Sequence, residues 1–145
     1  MNKYKQQIVD WAVHRDIARE ECAPKQRLKL IEEVGELASA ILKNDKEKII
    51  DSIGDILVVL IILAAQLKQD LDLDSQNPNI FFDRDSYEDS EILSSIIYND
   101  VFVEIEFIRI LAARYDLTLE QCLLAAWNEI KDRKGKTVNG TFIKE

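Results

Sequence analysis

KIIDSIGDILVVLIILAAQ, residues 48–66, holds the key to the fold. From Ile56 onward the stretch is apolar on every side of a helix, so it must be buried in a bundle or an oligomer. The unbroken apolar run, 56–65, is about half of what crosses a bilayer, which predicts a core helix and no membrane association. Asp51 and Asp55 nevertheless lie one turn apart on it, on the face of Val58 and Ile62. A buried carboxylate without a partner costs several kcal/mol, so something cationic should face that pair.

The rest of the chain supports a helical reading. It has 145 residues, 47% hydrophobic and 32% charged, with only four Gly and two Pro, so turns are few and elements long. An all-β sandwich or a Gly-rich dinucleotide fold is excluded. The fold class is all-α, an antiparallel helical bundle of four to five helices in one domain over 1–145. Periodicity predicts helices over 3–20, 25–43, 47–69 and 91–114, and a last one from the Thr118 cap to about 134, with Gly135 as the residue that ends it. The acidic, Pro78-containing stretch near 70–90 predicts a loop or excursion. Asn139-Gly140 marks a tight turn between two short extended pieces.

Charge and cysteine content narrow the partners. The net charge of −8 argues against nucleic acid and anionic membranes. Cys22 and Cys122 show no metal-ligand spacing and read as reduced thiols of a cytoplasmic protein, whose first residues are too polar for a signal peptide. The single histidine, His14, rules out His-rich zinc sites and the paired Glu-x-x-His motifs of di-iron bundles, and no role is assigned to it.

The helix over 25–43 carries Lys29, Glu32, Glu33 and Glu36 within an arc of roughly 100°, with Leu28, Ile31, Val34, Ala38, Ile41 and Leu42 as the expected core-facing stripe. A hairpin centred on Asn44 and Asp45 sets Asp55 level with Val34 and Asp51 with Ala38. The carboxylates of Glu33, Glu36, Asp51 and Asp55 then converge on one seam, where like charges repel unless a multivalent cation lies among them. Oxygen ligands without His or Cys select Mg²⁺, with Mn²⁺ as a possible substitute. KDRKGK, residues 131–136, is basic where the molecule is acidic, and reads as a phosphate clamp beside such a metal.

EEVGELA (32–38) followed by DSIGDILV (51–58) resembles the all-α nucleoside triphosphate pyrophosphohydrolases of the MazG-like superfamily. That family's signature is Glu-Glu-x-x-Glu, a spacer, then Glu-x-x-Asp. AWNEIKDRKGKTVNGTFIKE (126–145) looks like the ending of small, phage-type MazG-like proteins. The resemblance implies Mg²⁺-dependent hydrolysis of a (deoxy)nucleoside triphosphate to the monophosphate and pyrophosphate. By position Glu33 and Glu36 match the first metal pair, Asp55 the closing Asp, and Glu32 the residue that activates water. Ser52 stands where the family has Glu, with Asp51 as the nearest replacement. Lys131, Arg133, Lys134 and Lys136 are candidates to hold pyrophosphate, Lys29 a phosphate, and Asn128 a base or sugar. Trp11, Trp127 and Tyr98 could stack on a nucleobase. The apolar third helix and the resemblance together predict a homodimer or a homotetramer. The competing reading is a non-catalytic bundle that binds a metal or a protein partner, and the substrate could equally be a modified nucleotide or another pyrophosphate-containing metabolite.

Overall fold

The computed structural model describes residues 1–75, 83 and 85–145. Among them are six helices: α1 (Asn2–His14), α2 (Ala23–Leu42), α3 (Lys46–Gln66), α4 (Asp89–Ile97), α5 (Val101–Arg114) and α6 (Leu119–Ile130). A 3₁₀ turn, Glu20–Cys22, leads into α2, and an antiparallel hairpin of β1 (Gly135–Val138) and β2 (Thr141–Lys144) follows α6. The all-α class holds, with a two-stranded exception.

α3 is the axis of the bundle. It packs against α1, α2, α5 and α6, and Ile53, Ile56, Leu57, Leu60 and Leu63 are fully buried. By length and composition α3 could cross a membrane, but 78% of its apolar window is buried inside the protein. Most of the apolar surface of α3 is therefore covered by other helices of the same chain. At Gly54, α6 comes so close that a Cβ would stand 2.3 Å from the Cys122 carbonyl oxygen and 2.8 Å from Ala126 Cβ.

Several expected boundaries move, each for a local reason. The first helix stops at His14, because Asp16 adopts φ +60° and reverses the chain. The third stops at Gln66, short of 69, before Lys68 at φ +56°. The expected helix over 91–114 is two helices. Its break falls at Tyr98–Asp100, where the Asp100 carboxylate accepts from the backbone N–H groups of Phe102 and Val103 (3.0 and 3.2 Å) and starts α5. The last helix ends at Ile130 rather than 134, and Gly135 opens β1 instead of capping a helix. Thr118 caps α6 as expected, accepting from Gln121 N at 3.2 Å. The Asn139-Gly140 turn has φ of +50° and +80°, suited to a two-residue hairpin.

The start of the expected excursion is pinned. Leu71 and Leu73 are buried, and Asn2 bonds the Asp72 carboxylate (2.7 Å) and the Leu73 N–H (2.9 Å). Pro78 and the centre of that stretch lie outside the described residues.

The largest correction concerns α2. Its buried side runs through Gln26, Leu30, Glu33, Val34, Leu37 and Ala40, whereas Leu28, Ile31 and Leu42 are exposed. The helix is turned by about a quarter revolution from the expected orientation. The sequence holds two apolar stripes, and Leu30, Leu37 and Ala40 outcompete the other one for α3. This rotation carries Glu33 inward.

Candidate active site

The α2–α3 hairpin is built by its turn. Asn44 takes φ +51°, and the Asp45 carboxylate accepts from Lys48 N at 3.1 Å to cap α3. The antiparallel return then faces Glu33 with Asp55. Glu33 is only 5% exposed. Lys29 Nζ, one turn earlier, lies 2.8 Å from Glu33 Oε1 and 3.3 Å from Glu32 Oε1. The second oxygen, Glu33 Oε2, is buried with no hydrogen-bond partner among the described residues.

The local charges explain the protonation behaviour. Burial pushes the Glu33 carboxyl above its ordinary value, against the pull of Lys29, and the nearby Glu36 and Glu32 add to the rise. Burial is the largest influence on Lys29 and would lower it, yet the hydrogen bonds and charges of Glu33 and Glu32 together outweigh it and hold the ammonium above its usual value. Asp55 is pushed up to about 7, first by burial, then by Glu33 and Glu129, with Arg133 as the opposing cation and Asp51 adding repulsion. Cation supply at this seam falls short of its carboxylates.

These groups open into a cleft of about 340 Å³. One wall carries Glu32, Glu33 and Asp55, with Lys29 and Arg133 beside them. The rest of the lining includes apolar and aromatic side chains: Trp11, Ile17, Val58, Ile62 and Phe142. The hairpin closes one side with Gly140, Thr141, Phe142 and Lys144, and α2 adds Lys25 and Gln26. Phe142 meets Trp11 edge-on at 5.1 Å, and the Arg15 guanidinium lies 4.3 Å over the same indole. Arg15 also donates to the Arg133 carbonyl oxygen, so the end of α1 fixes the link between α6 and β1.

The expected site residues divide. Lys29, Glu32, Glu33, Asp55 and Arg133 line the cleft; Glu36, Asp51, Asn128, Lys131, Lys134 and Lys136 are not among its lining residues. Glu36 and Asp51 are close enough to act electrostatically on Glu33 and Asp55. Asn128 accepts a bond from Lys131 at 3.2 Å on the surface. Among the described residues, no group of three acidic, His or Cys side chains stands ready to hold a metal ion. Ser52 is buried, its hydroxyl has no hydrogen-bond partner among the described residues, and it does not line the cleft. Of the aromatic candidates only Trp11 lines it. Tyr98 is 90% exposed and borders a separate groove at the α4–α5 junction, and Trp127 is half-buried against the core. Sequence reasoning missed Lys25, Gln26, Thr141, Phe142 and Lys144. The strand alternation of Phe142 and Lys144 was the available signal for the last two.

A helical bundle with a carboxylate-lined cleft between its central hairpin and a docked β-hairpin is thus the class that fold and site define. Residues 25–77 match the family model of the MazG nucleotide pyrophosphohydrolase domain. This part of the chain is MazG-like, in agreement with the two motifs on α2 and α3. The chain is also 48% identical over 59 residues to an "Uncharacterized 18.2 kDa protein in rep-hol intergenic region" of Haemophilus phage HP1 (strain HP1c1). That match covers 41% of this chain and only 36% of the phage protein. No solved structure matches the chain.

Proposed function

We propose that this protein is a cytoplasmic, Mg²⁺-dependent nucleoside triphosphate pyrophosphohydrolase, converting a (deoxy)nucleoside triphosphate to the monophosphate and pyrophosphate. One observation carries the reading above all others. The buried Glu33 carboxylate leaves Oε2 without a partner, beside an Asp55 that faces further carboxylates. A hard divalent cation satisfies both groups at once, and their all-oxygen chemistry suits it. Glu33 and Asp55 would hold the ion, with Glu36 and Asp51 completing the set from the same two helices. When bound, such an ion supplies charge neutralisation at phosphate oxygens and a more acidic water.

The chain's own residues do the rest. Glu32 sits at the cleft with its side chain 59% exposed, where water reaches it, and takes the proton from the attacking water. Lys29 orients Glu33 through their 2.8 Å contact. Arg133 places positive charge beside the acidic wall, opposite the developing charge of the leaving pyrophosphate. The aromatic pair Trp11 and Phe142 in the lining provides an apolar surface of the kind a nucleobase stacks on.

The test is product analysis over a panel of ribo- and deoxyribonucleoside triphosphates with Mg²⁺. Monophosphate plus pyrophosphate, lost in Glu33→Gln, supports the proposal; diphosphate plus phosphate, or no turnover with Mg²⁺ and Mn²⁺, refutes it. The second reading, a non-catalytic metal- or partner-binding bundle, is favoured by Ser52, which is buried away from the cleft. It predicts metal-dependent stabilisation without turnover. Assembly into dimers or tetramers is better supported by α2 than by α3, since Leu28, Ile31 and Leu42 share one exposed side of that helix.

A further inference from the structure

The cleft contains cations that the acidic wall does not consume. Lys29 is paired with Glu32 and Glu33, and Arg133 with Glu129. Lys25 and Lys144 also line the cleft, and neither forms an ion pair among the described residues. Both are exposed, and most other lysines also form no ion pair among the described residues; what sets these two apart is that they line the cleft.

Their placement is built rather than incidental. In the hairpin register Lys144 faces Gly135 and Phe142 faces Thr137, while Lys136 pairs with Ile143. Side chains of directly opposed residues share a face, and alternate residues along a strand share one too. Phe142 and Lys144 therefore project to the cleft side, and Lys136 with Ile143 to the other. That side is tied down twice, by Phe142 on Trp11 and by Thr137 Oγ1 donating to the Arg15 carbonyl at 2.6 Å. Opposite Lys144 only glycine fits: a Cβ at residue 135 would lie 2.2 Å from the Ile143 carbonyl oxygen and 2.8 Å from Phe142 Cζ. Lys25, in the first turn of α2, packs its stem beneath the hairpin turn, where a Cβ on Gly140 would stand 3.3 Å from Lys25 Cγ.

Building on the pyrophosphohydrolase reading, we propose that Lys25 and Lys144 form a polyphosphate clamp that the docked hairpin completes, holding the β- and γ-phosphates of the substrate and then the released pyrophosphate. The role that the basic run 131–136 suggested passes largely to residues outside it. Lysine suits this task as a point charge for phosphate oxygens, and two of them on separate elements bracket an extended anion.

The experiment is calorimetric binding of inorganic tripolyphosphate and pyrophosphate to the full chain. Lys25→Met and Lys144→Met keep the aliphatic stems and remove the charges, and Lys43→Met, on the exposed α2–α3 turn, controls for net charge. Each clamp variant is expected to weaken tripolyphosphate about tenfold and the double variant by more than thirtyfold, with Lys43→Met unchanged and far-ultraviolet dichroism retained in all. Wild-type affinity in the double variant overturns the clamp, as does a larger loss from Lys136→Met than from Lys144→Met. Hydrolysis is measured separately. Clamp-dependent binding with no triphosphate cleavage would end the pyrophosphohydrolase reading alone, and cleavage with an unchanged KM in the double variant would end the clamp alone.

Discussion

Lys29 and Glu33, one turn apart on α2, meet at 2.8 Å, yet the same carboxylate keeps its other oxygen buried and unpartnered. A single i,i+4 ion pair on a helix surface contributes about 0.3–0.5 kcal/mol. That is small against the several kcal/mol that desolvating a carboxylate costs. The position is therefore poorly explained by stability, and well explained by a ligand for Oε2.

Glu33→Gln is expected to lower triphosphate turnover by at least two orders of magnitude while leaving the melting temperature unchanged or raised. Mg²⁺ should stabilise the wild-type protein in thermal denaturation and leave Glu33→Gln and Asp55→Asn unaffected. At a hundredfold excess over its dissociation constant the ion contributes about 2.7 kcal/mol, well within reach of a melting curve.

Arg27→Met should destabilise the fold by about 3–5 kcal/mol at pH 8. Glu104 is fully buried, and both of its oxygens lie 2.8 Å from Arg27 Nη1. Without the guanidinium that buried carboxylate loses its counter-charge and keeps only a backbone hydrogen bond from Asn99. The pair Arg27→Met with Glu104→Met should recover most of the loss in urea denaturation, and an additive double variant would refute the coupling.

The same residue sets a pH dependence. Glu104 is pushed up to about 7 by burial, with Arg27 pulling against it. In the unfolded chain it titrates near 4.3, as model carboxyls do. Between those values the native state holds the proton and the unfolded state does not. Its contribution to stability is therefore full below about 4.3 and declines as pH rises through 7. Urea midpoints measured across that window should fall less steeply in Glu104→Gln.

Gly54→Ala tests the α3–α6 contact. The new methyl would meet the Cys122 backbone at 2.3 Å, and a helix backbone cannot step aside as a flexible side chain can. A loss of about 1–3 kcal/mol is expected. Gly35→Ala on α2, where nothing stands within 4 Å of the new Cβ, should be neutral or stabilising.

Charge on the exposed side of α2 tests assembly. Ile31→Glu combined with Leu28→Glu should shift sedimentation toward the monomer at micromolar concentration while the helical dichroism stays intact. An unchanged species would remove α2 as the contact surface.

What the sequence by itself determined is local. The unbroken apolar run after Asp55 requires a central helix, Asn44-Asp45 and Asn139-Gly140 specify their turns through backbone and capping chemistry, and helical spacing puts Lys29 near Glu32 and Glu33. It also placed carboxylates on both arms of one hairpin, because an antiparallel return sets Asp55 level with Val34, between Glu33 and Glu36, by counting alone. Tertiary structure decided what counting cannot. α2 offers two apolar stripes of comparable strength, and only packing against α3 selects the one containing Glu33. The Asp100 cap won over a continuous apolar pattern and split one expected helix in two. The hairpin's cleft-facing side was settled by Trp11 and Arg15, more than a hundred residues away in the chain, so Lys144 rather than Lys136 faces the cleft. Local periodicity carries the energy of each element in isolation; the choice between faces rests on contacts that exist only once the elements meet.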